Sequence, residues 1–137
     1  MSNRTLFLSR LIGPLFTLIA LAILIQGQIM VQTFAGMLHD RPLICITAIF
    51  ILAAGLAIVI LHNQWSGGLL PVVITVLGWI TLLKGALLLL LPPESLITIY
   101  GSLRLGDLLY LYAAIDLVIG IYLTVAGFLA TTVKPAI

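Results

Sequence analysis

Apolar residues gather in four long runs, at about positions 11–32, 43–61, 71–91 and 108–129, separated by short polar breaks. Each run is about 20 residues, and a helix of that length, rising 1.5 Å per residue, crosses a hydrocarbon core of about 30 Å. The runs do not alternate with a period of two, which excludes the strands of a membrane barrel. Backbone groups in lipid must then bond within their own segment, as in a helix. Between the third and fourth runs, Leu96, Ile99, Tyr100 and Leu103 recur at helical spacing among Glu94, Ser95, Thr98 and Ser102. The pattern predicts a short amphipathic helix over about 94–103, lying in the interface. An irregular reentrant loop is the alternative. The expected fold is all-α: one membrane-embedded four-helix bundle, residues 1–137, with a short interfacial helix before the last span.

The breaks carry their own signals. His39-Asp40-Arg41-Pro42 closes a short loop, with Pro42 placed to enter the second helix. His62 to Gly68 forms the turn before a third helix that Pro71 opens and Pro92-Pro93 stops. Gly106-Asp107 supplies a turn, with Asp107 as the expected cap of the fourth helix. Arg4 and Arg10 ahead of the first run, and Thr33-Phe34-Ala35 after it, imitate a secretory leader and its cleavage site. The run is longer than such leaders use, so it is read as the first span.

Composition points the same way. Apolar residues make up 63% of the chain and charged residues 7%, against about 45–50% and about 25% in soluble domains. The mean hydropathy is +1.34. So few charges cannot solvate a globular surface, and the bilayer is the expected partner of most of it. The net charge of +2 is scattered, with no cluster to neutralise several phosphates, which excludes nucleic acid as a partner. Cys45 is the single cysteine, so no intrachain disulfide forms. Four spans put both termini on one side, with Arg4, Arg10 and Lys134 there and Arg41 and Arg104 opposite. That bias favours cytoplasmic termini. Tyr110 and Tyr112 suit an outer aromatic belt and Trp65 an inner one.

Two charges interrupt the spans. Lys84 and Asp116 fall in the third and fourth runs, where a charge at mid-helix costs about 2.5–3.5 kcal/mol and is normally turned toward protein or water. Counting from the outer ends puts both at about 10–12 Å depth, with Gln26 and Gln28 of the first run close to that layer. A buried Lys84–Asp116 ion pair, extended by hydrogen bonds from the two glutamines, is the expectation. Ala113, Asp116, Gly120, Thr124 and Gly127 follow three- and four-residue steps, and Gly78 and Gly85 stand one heptad apart. Such stripes of small residues let helices approach closely. Trp79, near the middle of its run, is expected to pack against a neighbouring helix or subunit. It lies about 140° around the helix from Lys84, which disfavours a cation–π contact between them.

No enzyme signature is present. The serines lack a nucleophile-elbow setting, and there is no phosphate-binding or dinucleotide loop. His39 and His62, the only histidines, fall at opposite ends of the second span, so one copy of the chain cannot join them on a metal or haem. No metal or other cofactor is expected. His62-Asn63-x-Trp65, then Gly78-Trp79 and Lys84-Gly85, then Pro92, resembles small four-helix bacterial inner-membrane proteins of unassigned function. The likeness spans about 30 residues and implies a bacterial cell-membrane location, with Trp79 and Lys84 in one functional unit. Two functions fit these features. One is a homo-oligomeric channel or transporter for an ion or small solute that uses the polar layer. The other is a non-catalytic accessory or scaffolding subunit bound to membrane-protein partners, with the charge pair serving insertion and helix register.

Overall fold

A computed structural model describes residues 2–130, the side chain of Leu105 excepted. Among them the chain is all-α, with six helices and no strand: α1 (Asn3–Gln26), α2 (Gln28–Met37), α3 (Arg41–Leu61), α4 (Leu69–Leu90), α5 (Pro93–Ser102) and α6 (Leu105–Leu129). Lys134 lies outside the described residues.

Local chemistry sets the ends. Ser2 accepts from the Thr5 N–H at the start of α1, and the Asp40 carboxylate accepts from the Leu43 N–H at 3.2 Å ahead of α3. The first apolar run is not one helix. α1 starts at Asn3 rather than near residue 11, and it stops at Gly27, whose φ of +52° suits a residue without a Cβ. α2 continues beyond that break. Asp107 is not the cap of α6: the helix begins after Arg104, held at φ +49°. Asp107 falls in the first helical turn, where its charge favours the N-terminal dipole, and pairs with Arg104 at 3.6 Å.

The long helices form two tightly crossed antiparallel pairs. In the first, Gly13 of α1 lies against Thr124 of α6 and Gly120 against Thr17. A Cβ on Gly13 would stand 2.5 Å from the Thr124 backbone nitrogen. Thr17 and Thr124 donate to the carbonyls of Gly13 and Gly120 on their own helices, so no hydroxyl is stranded at the crossing. At the pair's end Gly127 abuts Ser9, Arg10 donates to the Gly127 carbonyl at 2.8 Å, and its guanidinium lies 5.6 Å from the Phe128 ring centre. In the second pair Gly55 of α3 meets Leu82 of α4, Gly85 meets Leu52, and Gly78 meets Ile58.

The pairs join chiefly at the end near the chain termini, through Leu8, Ile12, Leu70, Ile74 and Leu123. At the opposite end, Leu38, Ile44, Ala48, Leu88 and Leu96 gather around α5. Leu96 anchors this short helix as its buried residue. α4 and α6 scarcely touch. Many large apolar side chains face outward on α1, α3, α4 and α6, including Phe50, Leu90 and Leu129. α1, α3, α4 and the Leu109–Leu129 part of α6 are long and apolar enough to cross a bilayer. The chain is a small multi-pass membrane protein.

Candidate functional site

The α1–α6 register fixes relative depth. With Gly13 beside Thr124 and Gly120 beside Thr17, Asp116 stands level with Leu21. Asp116 lies seven residues inside the span that starts at Leu109, and Lys84 six residues before Leu90. Both are therefore about 9–11 Å from the same end.

The expected buried ion pair is not formed. Lys84 is exposed, Asp116 is half-buried, and Arg104–Asp107 is the only ion pair within 4.0 Å among the described residues. The reason is the helix pairing. Gly85 commits its face of α4 to α3, and Gly120 commits its face of α6 to α1, so the two charged helices are each drawn toward another partner. Neither glutamine joins them. Gln26 ends α1 and is exposed, about 7.5 Å beyond the Asp116 level. Gln28, past the Gly27 break, reaches the Gly106 carbonyl at 3.4 Å instead.

Trp79 is not buried in a helix contact. It is 44% exposed and donates its indole N–H to Asn63 Oδ1 at 3.4 Å. Helical side chains lean toward their own N-terminus, which brings this indole down to the α3–α4 turn. Trp65 donates to the same oxygen at 2.9 Å. Asn63 thus ties both tryptophans together.

Beneath them lies a polar cluster. α3 ends before α4 begins, so the segment from His62 to Gly68 climbs along the first turns of α4. Thr75 Oγ1 accepts from the Gln64 N–H at 3.0 Å, and its one proton is directed at the Gln64 and Pro71 carbonyls, at 2.9 and 3.0 Å. His62 is 1% exposed, and its Nε2 lies 3.3 Å from the Pro71 carbonyl. A carbonyl only accepts, so Nε2 carries the proton, and Nδ1 is left as a buried acceptor without a hydrogen-bond partner. Sequence spacing gave no hint of this, because a histidine at a helix end normally faces the interface. The later polar position Thr75, one turn after Pro71, is the signal that the turn has something to hold.

Burial lowers the affinity of His62 for a proton below the ordinary value of about 6.5, and the bond to Pro71 offsets this in part. The segment itself, α3 and the first turns of α4 bring no charged group to the ring. α1 contributes Arg4, which borders the neighbouring Leu61. A released, solvated His62 binds its proton at higher pH than the docked one. The docked turn is therefore fully stable above about pH 6.5 and loses stability as pH falls through that value toward the lowered native one. Trp65 and Trp79 are the only tryptophans, so their emission should change as the sample is acidified below pH 6.5. In His62→Phe the same titration should be flat, and an unchanged transition in that variant would assign it to another group.

Among the described residues no three His, Cys, Asp or Glu side chains come together to hold a metal ion. The polar elements are therefore Lys84 and Asp116, at one depth within the spans without an ion pair, and a hydrogen-bonded cluster at one end of α3 and α4. No protein-family model matches this chain, and neither a curated protein nor a solved structure shows significant similarity to it.

Proposed function

We propose that this protein is a homo-oligomeric channel or transporter for an ion or small solute, and not an enzyme, with Lys84 and Asp116 in the polar part of the pathway. One observation carries the reading: two residues of opposite charge type, Lys84 and Asp116, stand at nearly one depth in apolar spans without closing on each other. A pair kept only to neutralise insertion gains most by direct contact, because an unpaired charge in hydrocarbon is the costly state. Two charges held apart instead leave donors and acceptors free for water or solute. The glycine crossings leave no passage within either helix pair, so the pathway runs along the seam between α4 and α6, completed by further copies. The same reading puts the protein in a bacterial inner membrane with cytoplasmic termini, on the charge bias and the resemblance of the His62–Gly85 stretch.

The test is ion flux and solute uptake in proteoliposomes containing only this chain. Lys84→Met and Asp116→Asn should each lower flux by about tenfold or more, with helical content and oligomer size retained. Undiminished flux in both well-folded variants, or an inert native protein, removes the proposal. In that case co-purification of a stoichiometric membrane partner would turn attention to the accessory-subunit role.

A further inference from the structure

The edge where α3 begins and α4 ends holds a groove of about 400 Å³ lined by Arg41, Ile44, Cys45, Leu89, Pro92 and Leu96, among others. This volume lies in the range of small-molecule sites. Its layout is polar at one end only. Arg41 opens the α3 span, while Ile44 and Cys45, three and four residues later, lie one turn deeper on the same face. On the other wall Leu89 lies within the α4 span and Pro92 just beyond it. The groove therefore runs from a cation at the membrane boundary into an apolar channel among the spans.

Among the described residues no carboxylate pairs with the Arg41 guanidinium. Asp40, next in sequence, points its carboxylate at the Leu43 N–H. Neither it nor Glu94 forms an ion pair with Arg41. On the same face Arg104 is neutralised by Asp107. A guanidinium presents paired donors that match a phosphate.

We propose that this groove is a specific site for an anionic glycerophospholipid, its phosphate on Arg41 and an acyl chain along Ile44, Cys45 and Leu89. Charge complementarity and the vertical order of the lining select this occupant. A zwitterionic lipid meets the same apolar wall without the net electrostatic gain. The inference is independent of the transport reading, since neither Lys84 nor Asp116 lines the groove.

The test is native mass spectrometry of the detergent-purified full chain with phosphatidylglycerol and phosphatidylcholine of matched acyl chains. The native protein should retain phosphatidylglycerol about fivefold more strongly, the gain expected of one basic side chain at a membrane surface. Arg41→Gln should abolish the preference while phosphatidylcholine binding persists, and Arg41→Lys should restore most of it. Cys45→Trp, which fills the groove, should weaken both lipids, and Arg104→Gln should change neither. Circular dichroism establishes that each variant keeps its helices. Equal retention of the two lipids by the native protein, or a preference that survives Arg41→Gln, would overturn the assignment.

Discussion

Gly85→Val is expected to force α3 and α4 apart and to destabilise the protein by about 1–3 kcal/mol or more. A Cβ at Gly85 would stand 2.5 Å from the backbone nitrogen of Leu52 and 2.7 Å from its Cα. Those are main-chain atoms of a packed helix, so no rotamer change relieves the clash. The loss spreads because Gly55 and Gly85 form one reciprocal crossing: separating the helices at Gly85 also empties the contact between Gly55 and Leu82. In a membrane this contact is a main source of association, since lipid supplies no hydrophobic drive between helices. A glycine that faces open space should behave oppositely. Gly36 in α2 and Gly101 in α5 have nothing within 4 Å of an added Cβ. Gly36→Ala and Gly101→Ala should therefore stabilise by about 0.5–1 kcal/mol through backbone entropy. Unfolding in mixed micelles, followed by helical circular dichroism, reads both signs. Equal effects at Gly85 and Gly36 would refute close crossing as the organising contact.

Thr75→Val should release the turn between α3 and α4 at a cost of about 1 kcal/mol or more, because a partly buried backbone donor loses its acceptor along with the bonds the hydroxyl itself makes. The hydroxyl is the acceptor for the Gln64 N–H and directs its own proton toward the turn's carbonyls. Valine keeps the shape and removes both functions. Thr75→Ser keeps the hydroxyl and should retain most of the stability. Because Asn63 ties Trp65 and Trp79 through the same turn, tryptophan emission in Thr75→Val should resemble that of the acidified native protein. Faster amide exchange at Gln64 should accompany it. Unchanged exchange there would show that Thr75 does not hold the turn.

What could be read from the sequence follows from how local the determinants are. Apolar run length depends on nothing but the chain and the bilayer, which is why the four membrane-crossing helices were legible. The helix over Pro93–Ser102 was legible too, because its apolar positions repeat within ten residues. The break at Gly27 was not, since Gln26 and Gln28 on either side of it read as polar positions inside a span that resumes at Ile29, and the positive φ of Gly27 is not visible in the residue pattern. The polar layer was misjudged for a related reason. Helix depth can be counted along a chain, but which faces meet is decided by pairing. Gly13 and Gly55 went unnoticed as crossing residues because each is the single glycine of its helix, with no second glycine at helical spacing to mark a face. Their partners on α6 and α4 are more than 25 residues away in sequence. Once α1 is committed to α6 and α3 to α4, Lys84 and Asp116 are left beside the seam instead of in contact across it.

If Lys84 and Asp116 belong to a pathway as proposed, they face water inside the membrane rather than lipid, and single-cysteine accessibility distinguishes the two. In a Cys45→Ser background, which removes the only native thiol, cysteine is placed at 84 and 116. Cysteine at 83 and 118 serves as the lipid-facing control, since Leu83 and Val118 are adjacent outward positions, 62% and 69% exposed. Intact proteoliposomes are then treated with a membrane-impermeant thiol reagent. Labelling is expected at 84 and 116 and none at 83 and 118. Four silent positions, or four labelled alike, would contradict the proposal.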